Sequence, residues 1–155
     1  MQPHRFLEAG MIDGTLIHPQ ILQTLGTAGH GATILIPDGN YPFATHAHPR
    51  AQRVYLNLAP GICTVTDVLR AVLSCTPVEA AQVMRRDDGA EPSIYADFRK
   101  LLPADVPLQP LERFAFYAAA KQDNCCLVVA TGEQRIFANI LLTIGVVQPP
   151  DAMVV

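Results

Sequence analysis

Three short aliphatic runs, Ile34-Leu35-Ile36, Leu127-Val128-Val129-Ala130 and Ile140-Leu141-Leu142-Thr143-Ile144, set the tightest limit on how this chain folds. Each is short for a helix and lacks the apolar/polar alternation of a sheet with one wet face, so each reads as a strand buried on both sides. Helices must then cover both faces. The spacing of apolar residues supplies them over residues 19–28, 64–73, 91–102 and 111–121. In the last of these, Phe114, Ala115, Ala118 and Ala119 fall at helical spacing and predict the packed face. Further strands are expected at residues 54–58 and 78–84, and the proline-punctuated stretch with Pro103, Pro107 and Pro110 reads as a connection. The expected fold is α/β, a three-layer α/β/α sandwich.

At 155 residues the chain makes one domain, large enough to bury roughly two-thirds of the surface its unfolded form exposes. Residues 1–10 read as an N-terminal arm, 11–148 as the α/β domain and 149–155 as a tail. Half the residues are hydrophobic, only 16% are charged, and the mean hydropathy is +0.22. That surplus of apolar residues predicts covered subunit interfaces. A net charge of -3 and the absence of a Lys/Arg-rich run argue against nucleic acid as a partner. No apolar run reaches membrane-spanning length and the N-terminus lacks a signal-peptide core, so a soluble, cytoplasmic protein is expected. Cys63, Cys75, Cys125 and Cys126 have no CxxC spacing and read as buried thiols; neighbouring residues on a strand point to opposite faces, which argues against a functional Cys125–Cys126 disulfide.

The chemistry-bearing stretch is Gly29-His30-Gly31, followed across one predicted strand by Asp38 in Pro37-Asp38-Gly39-Asn40-Tyr41-Pro42. A histidine just past a helix C-terminus feels the negative end of the peptide dipoles, which favours imidazolium and makes His30 a candidate proton donor. Asp38 lies beyond the C-terminal end of its strand, where ligands gather in open α/β sheets. The same residues also fit a helix stop at Gly29 and a turn begun by Asp38. Spacing alone leaves both readings open. Residues 40–50, with Tyr41, His46, His48 and Arg50, form a connection long enough to wall a site.

Several chemistries lack their signatures. There is no GxSxG for a serine nucleophile and no GxGxxG or GK[ST] loop for a nucleotide. His46-Ala47-His48 has no third ligand fixed by spacing, so no metal and no cofactor is expected. What remains is a histidine, a carboxylate, Arg113, several tyrosines and Asn139. Planar polar side chains bond paired hydroxyls while aromatic rings cover an apolar sugar face, so the set suits a neutral, hydroxyl-rich ligand and proton transfer. Taken singly, Arg113 also fits a helix-surface ion pair and Tyr117 fits core packing.

In order, the helix leading to Gly29-His30-Gly31, Asp38 with Asn40-Tyr41-Pro42, Arg113-Phe114-Ala115-Phe116-Tyr117, Thr131-Gly132-Glu133 and Asn139-Ile140-Leu141-Leu142 resemble the D-ribose pyranase/L-fucose mutarotase family. The resemblance covers roughly residues 10–147, and its arginine block and ending look like the fucose branch. It implies an isomerase: a cofactor-independent mutarotase interconverting anomers of a free monosaccharide, L-fucose or a related sugar. It implies His30 as proton donor and sugar contacts from Asp38, Arg113, Phe137, Ala138 and Asn139; beside these, Asp38 is expected to take part in catalysis by orienting His30 or the sugar hydroxyls, and Tyr117 is a candidate sugar contact. It also implies a homodecamer of two stacked pentameric rings, with sites completed between neighbours. A D-ribose pyranase activity and a non-catalytic sugar sensor are the alternatives. The chain departs from the family at Phe137, where tyrosine is usual, and at Ala32, where the fucose branch often has an acidic residue.

Overall fold

The computed structural model describes residues 12–150, so the expected arm at residues 1–10 and the tail beyond 150 lie outside the described residues. In chain order the elements are α1 (Pro19–Thr27), β1 (Thr33–Ile36), β2 (Gln52–Tyr55), α2 (Val65–Leu73), β3 (Val78–Met84), α3 (Ile94–Leu101), β4 (Leu108–Leu111), α4 (Arg113–Ala120), β5 (Cys125–Ala130) and β6 (Ile140–Ile144). The strands form one mixed sheet in the order β2-β5-β1-β6-β3-β4. β1 and β5, β2 and β5, and β3 and β4 are parallel; β6 runs antiparallel to both β1 and β3.

The aliphatic runs occupy the middle of this sheet, and their alternate residues enter two different cores. Ile34, Ile36, Leu127, Val129, Ile140 and Leu142 pack with Ile21, Val68, Leu69, Ile94 and Phe98 from α1, α2 and α3. Leu35, Val128 and Leu141 point the other way, toward Phe116 and Ala120 of α4 and Tyr41 and Ala47 of the 40–50 loop. The period of two along a strand turns three apolar runs into two cores, and the layers expected from the sequence follow.

Local signals explain most boundaries. Pro19 begins α1, with the His18 ring accepting from the Ile21 N–H at 3.4 Å. Thr64 and Asp67 form a reciprocal capping box at the start of α2. The stretch after α3 departs from expectation: Leu108–Leu111 forms β4 despite Pro110. The sheet tolerates this because β4 is an edge strand, where a missing N–H need not break a ladder.

The packed face of α4 also differs from expectation. Phe116 and Ala120 are buried, whereas Phe114 is 71% exposed. The helix Arg113-Phe114-Ala115-Phe116-Tyr117-Ala118-Ala119-Ala120 is apolar nearly all round, so its period is legible and its phase is not. Of the four cysteines only Cys125 is buried; Cys75 is exposed, Cys63 and Cys126 are half-buried, and all four are free thiols.

The Thr131-Gly132-Glu133 turn ties the sheet to the loops above it. The Thr131 hydroxyl donates to the Pro37 carbonyl at 2.6 Å, and the Glu133 carboxylate accepts from the Val65 N–H at the start of α2 at 3.1 Å. Gly132 fits where no side chain does, since a Cβ there would lie 2.4 Å from the Ala59 oxygen and 2.5 Å from that of Ile62. Burial pushes the Glu133 carboxyl upward, but hydrogen bonds from the Arg135 side chain and backbone outweigh it and hold the group below the usual carboxylate range. Arg135 also reaches Asp97 on α3 at 2.7 Å, which fastens the turn to a second helix.

Candidate functional site

At the C-terminal end of β1 lies a cleft of about 280 Å³ lined by Asp38, Asn40, Tyr41, Met84, Arg113, Tyr117, Ile136, Phe137 and Asn139. Asp38 is only 3% exposed. Its Oδ1 accepts from the Asn40 N–H at 2.9 Å and its Oδ2 from the Ala138 N–H at 3.3 Å, while its own N–H donates to Asn139 Oδ1 at 2.7 Å. Desolvation pushes its carboxyl above the ordinary value, with the backbone donors of Asn40, Ala138 and Tyr41 pulling the other way. A carboxylate that takes a proton more readily than usual therefore sits in the cleft, with acceptor capacity left beyond two backbone bonds.

The opposite wall comes from α4 and the 136–139 segment. Arg113, the first residue of α4, pairs with Asp87 at 3.3 Å and stands 5.7 Å from the Phe137 ring centroid, a cation–π arrangement. Arg113 thus lines the cleft while also making a helix-surface ion pair. Tyr117 packs against Tyr41, His46 and Phe114 with ring centroids at 5.4, 4.5 and 6.2 Å. Phe137 has a φ of 58°, a left-handed conformation rare for a bulky side chain, and the N–H of the next residue is the one bound to Asp38. Backbone strain of this kind, roughly 1–3 kcal/mol, collects at functional sites.

Five of the seven sequence-expected residues, Asp38, Arg113, Tyr117, Phe137 and Asn139, thus line one cleft, and Ala138 contributes its N–H from behind. His30 is not among them. It lies before the N-terminal end of β1 while Asp38 follows the C-terminal end, and a strand rising about 3.3 Å per residue keeps the two well beyond hydrogen-bond reach. Within one chain, Asp38 does not orient His30. That partner is Glu79 on β3, whose two carboxylate oxygens stand 3.0 and 2.9 Å from His30 Nε2. The sequence carries no spacing that links positions 30 and 79; a lone charge near the start of an apolar strand was its only mark. The left-handed glycine in this turn is Gly31, at φ 85°, while Gly29 shows no positive φ.

His46 packs on Tyr117, and His48 Nδ1 accepts from the Arg50 N–H at 3.1 Å. Among the described residues no group of three or more His, Cys, Asp or Glu side chains is placed to hold a metal ion. The 40–50 loop is held by Arg53, whose guanidinium donates to the carbonyls of Phe43, Ala44, Ala47, His48 and Ala51, a role the sequence did not signal. A wider cleft of about 530 Å³ beside α1 is lined mainly by exposed polar side chains, including Gln20, Arg50 and Asp123, and has no buried carboxylate.

Residues 11–147 match the model of the RbsD / FucU transport protein family. The chain belongs to this family. It is 30% identical over 149 residues to the fucose mutarotase of Danio rerio, covering 88% of this chain and 94% of that one. It is 35% identical over 136 residues to a D-ribose pyranase of Variovorax paradoxus, covering 84% and 95%. Among solved structures it is similar to the fucose mutarotase of Streptococcus pneumoniae in complex with L-fucose, with a TM-score of 0.72, 29% identity and coverage of 85% and 95%. This RbsD / FucU member therefore shares the family's α/β fold, and its relatives include enzymes of the isomerase class. Among its described residues no helix is long and apolar enough to cross a membrane.

Proposed function

We propose that this chain is a cofactor-independent monosaccharide mutarotase that interconverts anomers of a free sugar, L-fucose or a related one, by acid–base-assisted ring opening and closure. The observation that carries the reading is the buried Asp38 carboxylate, held by the Asn40 and Ala138 N–H groups and facing Arg113 and aromatic rings in a cleft of about 280 Å³. A space near the lower end of the usual range for small-molecule pockets suits a single sugar ring. Asp38, Arg113 and Asn139 bond its hydroxyls, and Tyr117 and Phe137 cover its apolar face.

In the proposed mechanism His30 protonates the ring oxygen while a base, the Asp38 carboxylate or a water beside it, takes the proton of the anomeric hydroxyl. The bond between the anomeric carbon and the ring oxygen breaks, an open-chain carbonyl forms and rotates, and reclosure returns both protons. Because His30 and Asp38 lie at opposite ends of β1, the reading requires the His30 of a neighbouring copy to reach this cleft. The proposal therefore includes a ring-shaped homo-oligomer, a decamer of two pentamers, in the cytoplasm. The exposed Phe114 and Ile136 beside the cleft, 71% and 55% accessible, are the kind of surface a second copy would cover.

NMR saturation transfer between anomers, over a panel of fucose, ribose, galactose and rhamnose, tests the reading. Accelerated exchange for at least one sugar, lost in His30→Ala, is expected. Calorimetric binding without acceleration would overturn it in favour of a sugar-sensing protein, a second reading that rests on Phe137 standing where the family usually has a tyrosine hydroxyl.

A further inference from the structure

The His30–Glu79 pair is built by the sheet. β3 and β6 pair in register on either side of residue 79, with Val78 opposite Ile144 and Ala80 opposite Thr143, so Glu79 is the extra residue of a β-bulge. Bulges re-aim side chains, and they are common beside active sites. The same place on β6 is made narrow for it: a Cβ on Gly145 would stand 3.3 Å from the Glu79 Cβ and 3.4 Å from its backbone nitrogen. The turn carrying His30 is fastened to the end of β6 by Gly31 N–H to Ile144 O and Ile144 N–H to Ala32 O, each 2.9 Å, and Gly145 N–H donates to Pro77 O at 2.9 Å. Backbone bonds thus hold both side chains of the pair to one strand end. Beside His30 lies a hollow of about 340 Å³ whose other lining residues, including Leu25, Ala28, Thr76, Pro77 and Ile144, carry no charge.

We propose that Glu79 is a positioning residue for sugar mutarotation, fixing the orientation of the His30 ring and the proton on its Nε2 so that Nδ1 is the nitrogen that exchanges a proton with the sugar. This rests on the proposed catalytic role of His30. A carboxylate only accepts, so the Nε2 proton is committed to Glu79 in the neutral and the charged ring alike. Nδ1 has no hydrogen-bond partner among the described residues. The imidazolium then gives its Nδ1 proton to the ring oxygen as the anomeric C–O bond breaks, and on reclosure the ring hydroxyl returns it to Nδ1. As a structural element alone the pair has little value, since its side chains are 59% and 46% exposed and ion pairs in water add little to stability.

The test compares the full-length wild type with Glu79→Ala, Glu79→Gln and His30→Ala, using L-fucose and D-ribose anomer exchange and ¹⁵N shifts of the His30 ring. Neutral His30 in the wild type is expected as the Nε2–H tautomer. Glu79→Ala should mix the tautomers and lower turnover at saturating sugar by about 10-fold or more, as the lower end of positioned acid–base gains suggests, with KM little changed because Glu79 touches no sugar. Glu79→Gln, which keeps an acceptor oxygen, should restore part of both. Unchanged turnover in Glu79→Ala, or an Nδ1–H tautomer in the wild type, would overturn the positioning role. Retained exchange in His30→Ala would instead overturn the catalytic role of His30 on which it rests.

Discussion

Asn139 holds the backbone of Asp38: its Oδ1 accepts the Asp38 N–H at 2.7 Å, joining the segment after β1 to the residue before β6. Both residues are 3% exposed, so water cannot replace the bond at little cost. The carboxylate of Asp38 returns the connection through the Ala138 N–H.

Asn139→Ala leaves the Asp38 N–H buried without an acceptor, which costs about 1–3 kcal/mol. A lower urea midpoint with weaker sugar binding by calorimetry is expected. Unchanged stability would show that the cleft floor relaxes and the bond is dispensable.

Asp38 gives stability a pH dependence of defined sign. Burial raises its folded carboxyl above the ordinary 3.8, so its contribution to stability is full below that value and is lost as pH rises through the raised one. Denaturation midpoints of wild type and Asp38→Asn, compared from acid to neutral pH, should diverge in favour of the variant across that window. A constant difference would contradict the desolvation of Asp38.

Gly132→Ala should be among the most damaging single changes, because the added Cβ meets two carbonyl oxygens, those of Ala59 and Ile62, that belong to backbone. A loss at or beyond the upper end of about 1–3 kcal/mol is expected from overpacking, read by chemical denaturation. Gly14→Ala, with nothing within 4 Å of its added Cβ, is the control.

Phe137→Tyr adds a hydroxyl at the cleft without altering the backbone at its φ of 58°. One hydrogen bond to the sugar, worth about 0.5–1.5 kcal/mol, corresponds to roughly a two- to tenfold gain in affinity. Calorimetry over the sugar panel would register it, and no gain for any sugar would show that the ring edge points away from the ligand.

Arg113→Ala should weaken sugar binding while leaving the pH profile of exchange in place, since the guanidinium carries no exchanging proton. Unchanged affinity would confine Arg113 to its ion pair with Asp87 at 3.3 Å.

The sequence by itself determined the layered α/β architecture, because Ile34-Leu35-Ile36 and its two companions have no polar face and must be covered on both sides. It also determined the capped start of α2 at Thr64, whereas spacing left Asp38, Arg113 and Tyr117 open between site and scaffold, and only the ordered motifs of the family resemblance grouped them with Phe137 and Asn139. Only the tertiary structure decided the phase of α4, where an all-round apolar helix offers the sheet no preferred side, and the pairing of β4, where an edge position absorbs Pro110. It alone gave His30 to Glu79. That pairing depends on a bulge between β3 and β6, and a one-residue shift in register between strands distant in sequence leaves no periodic trace in either.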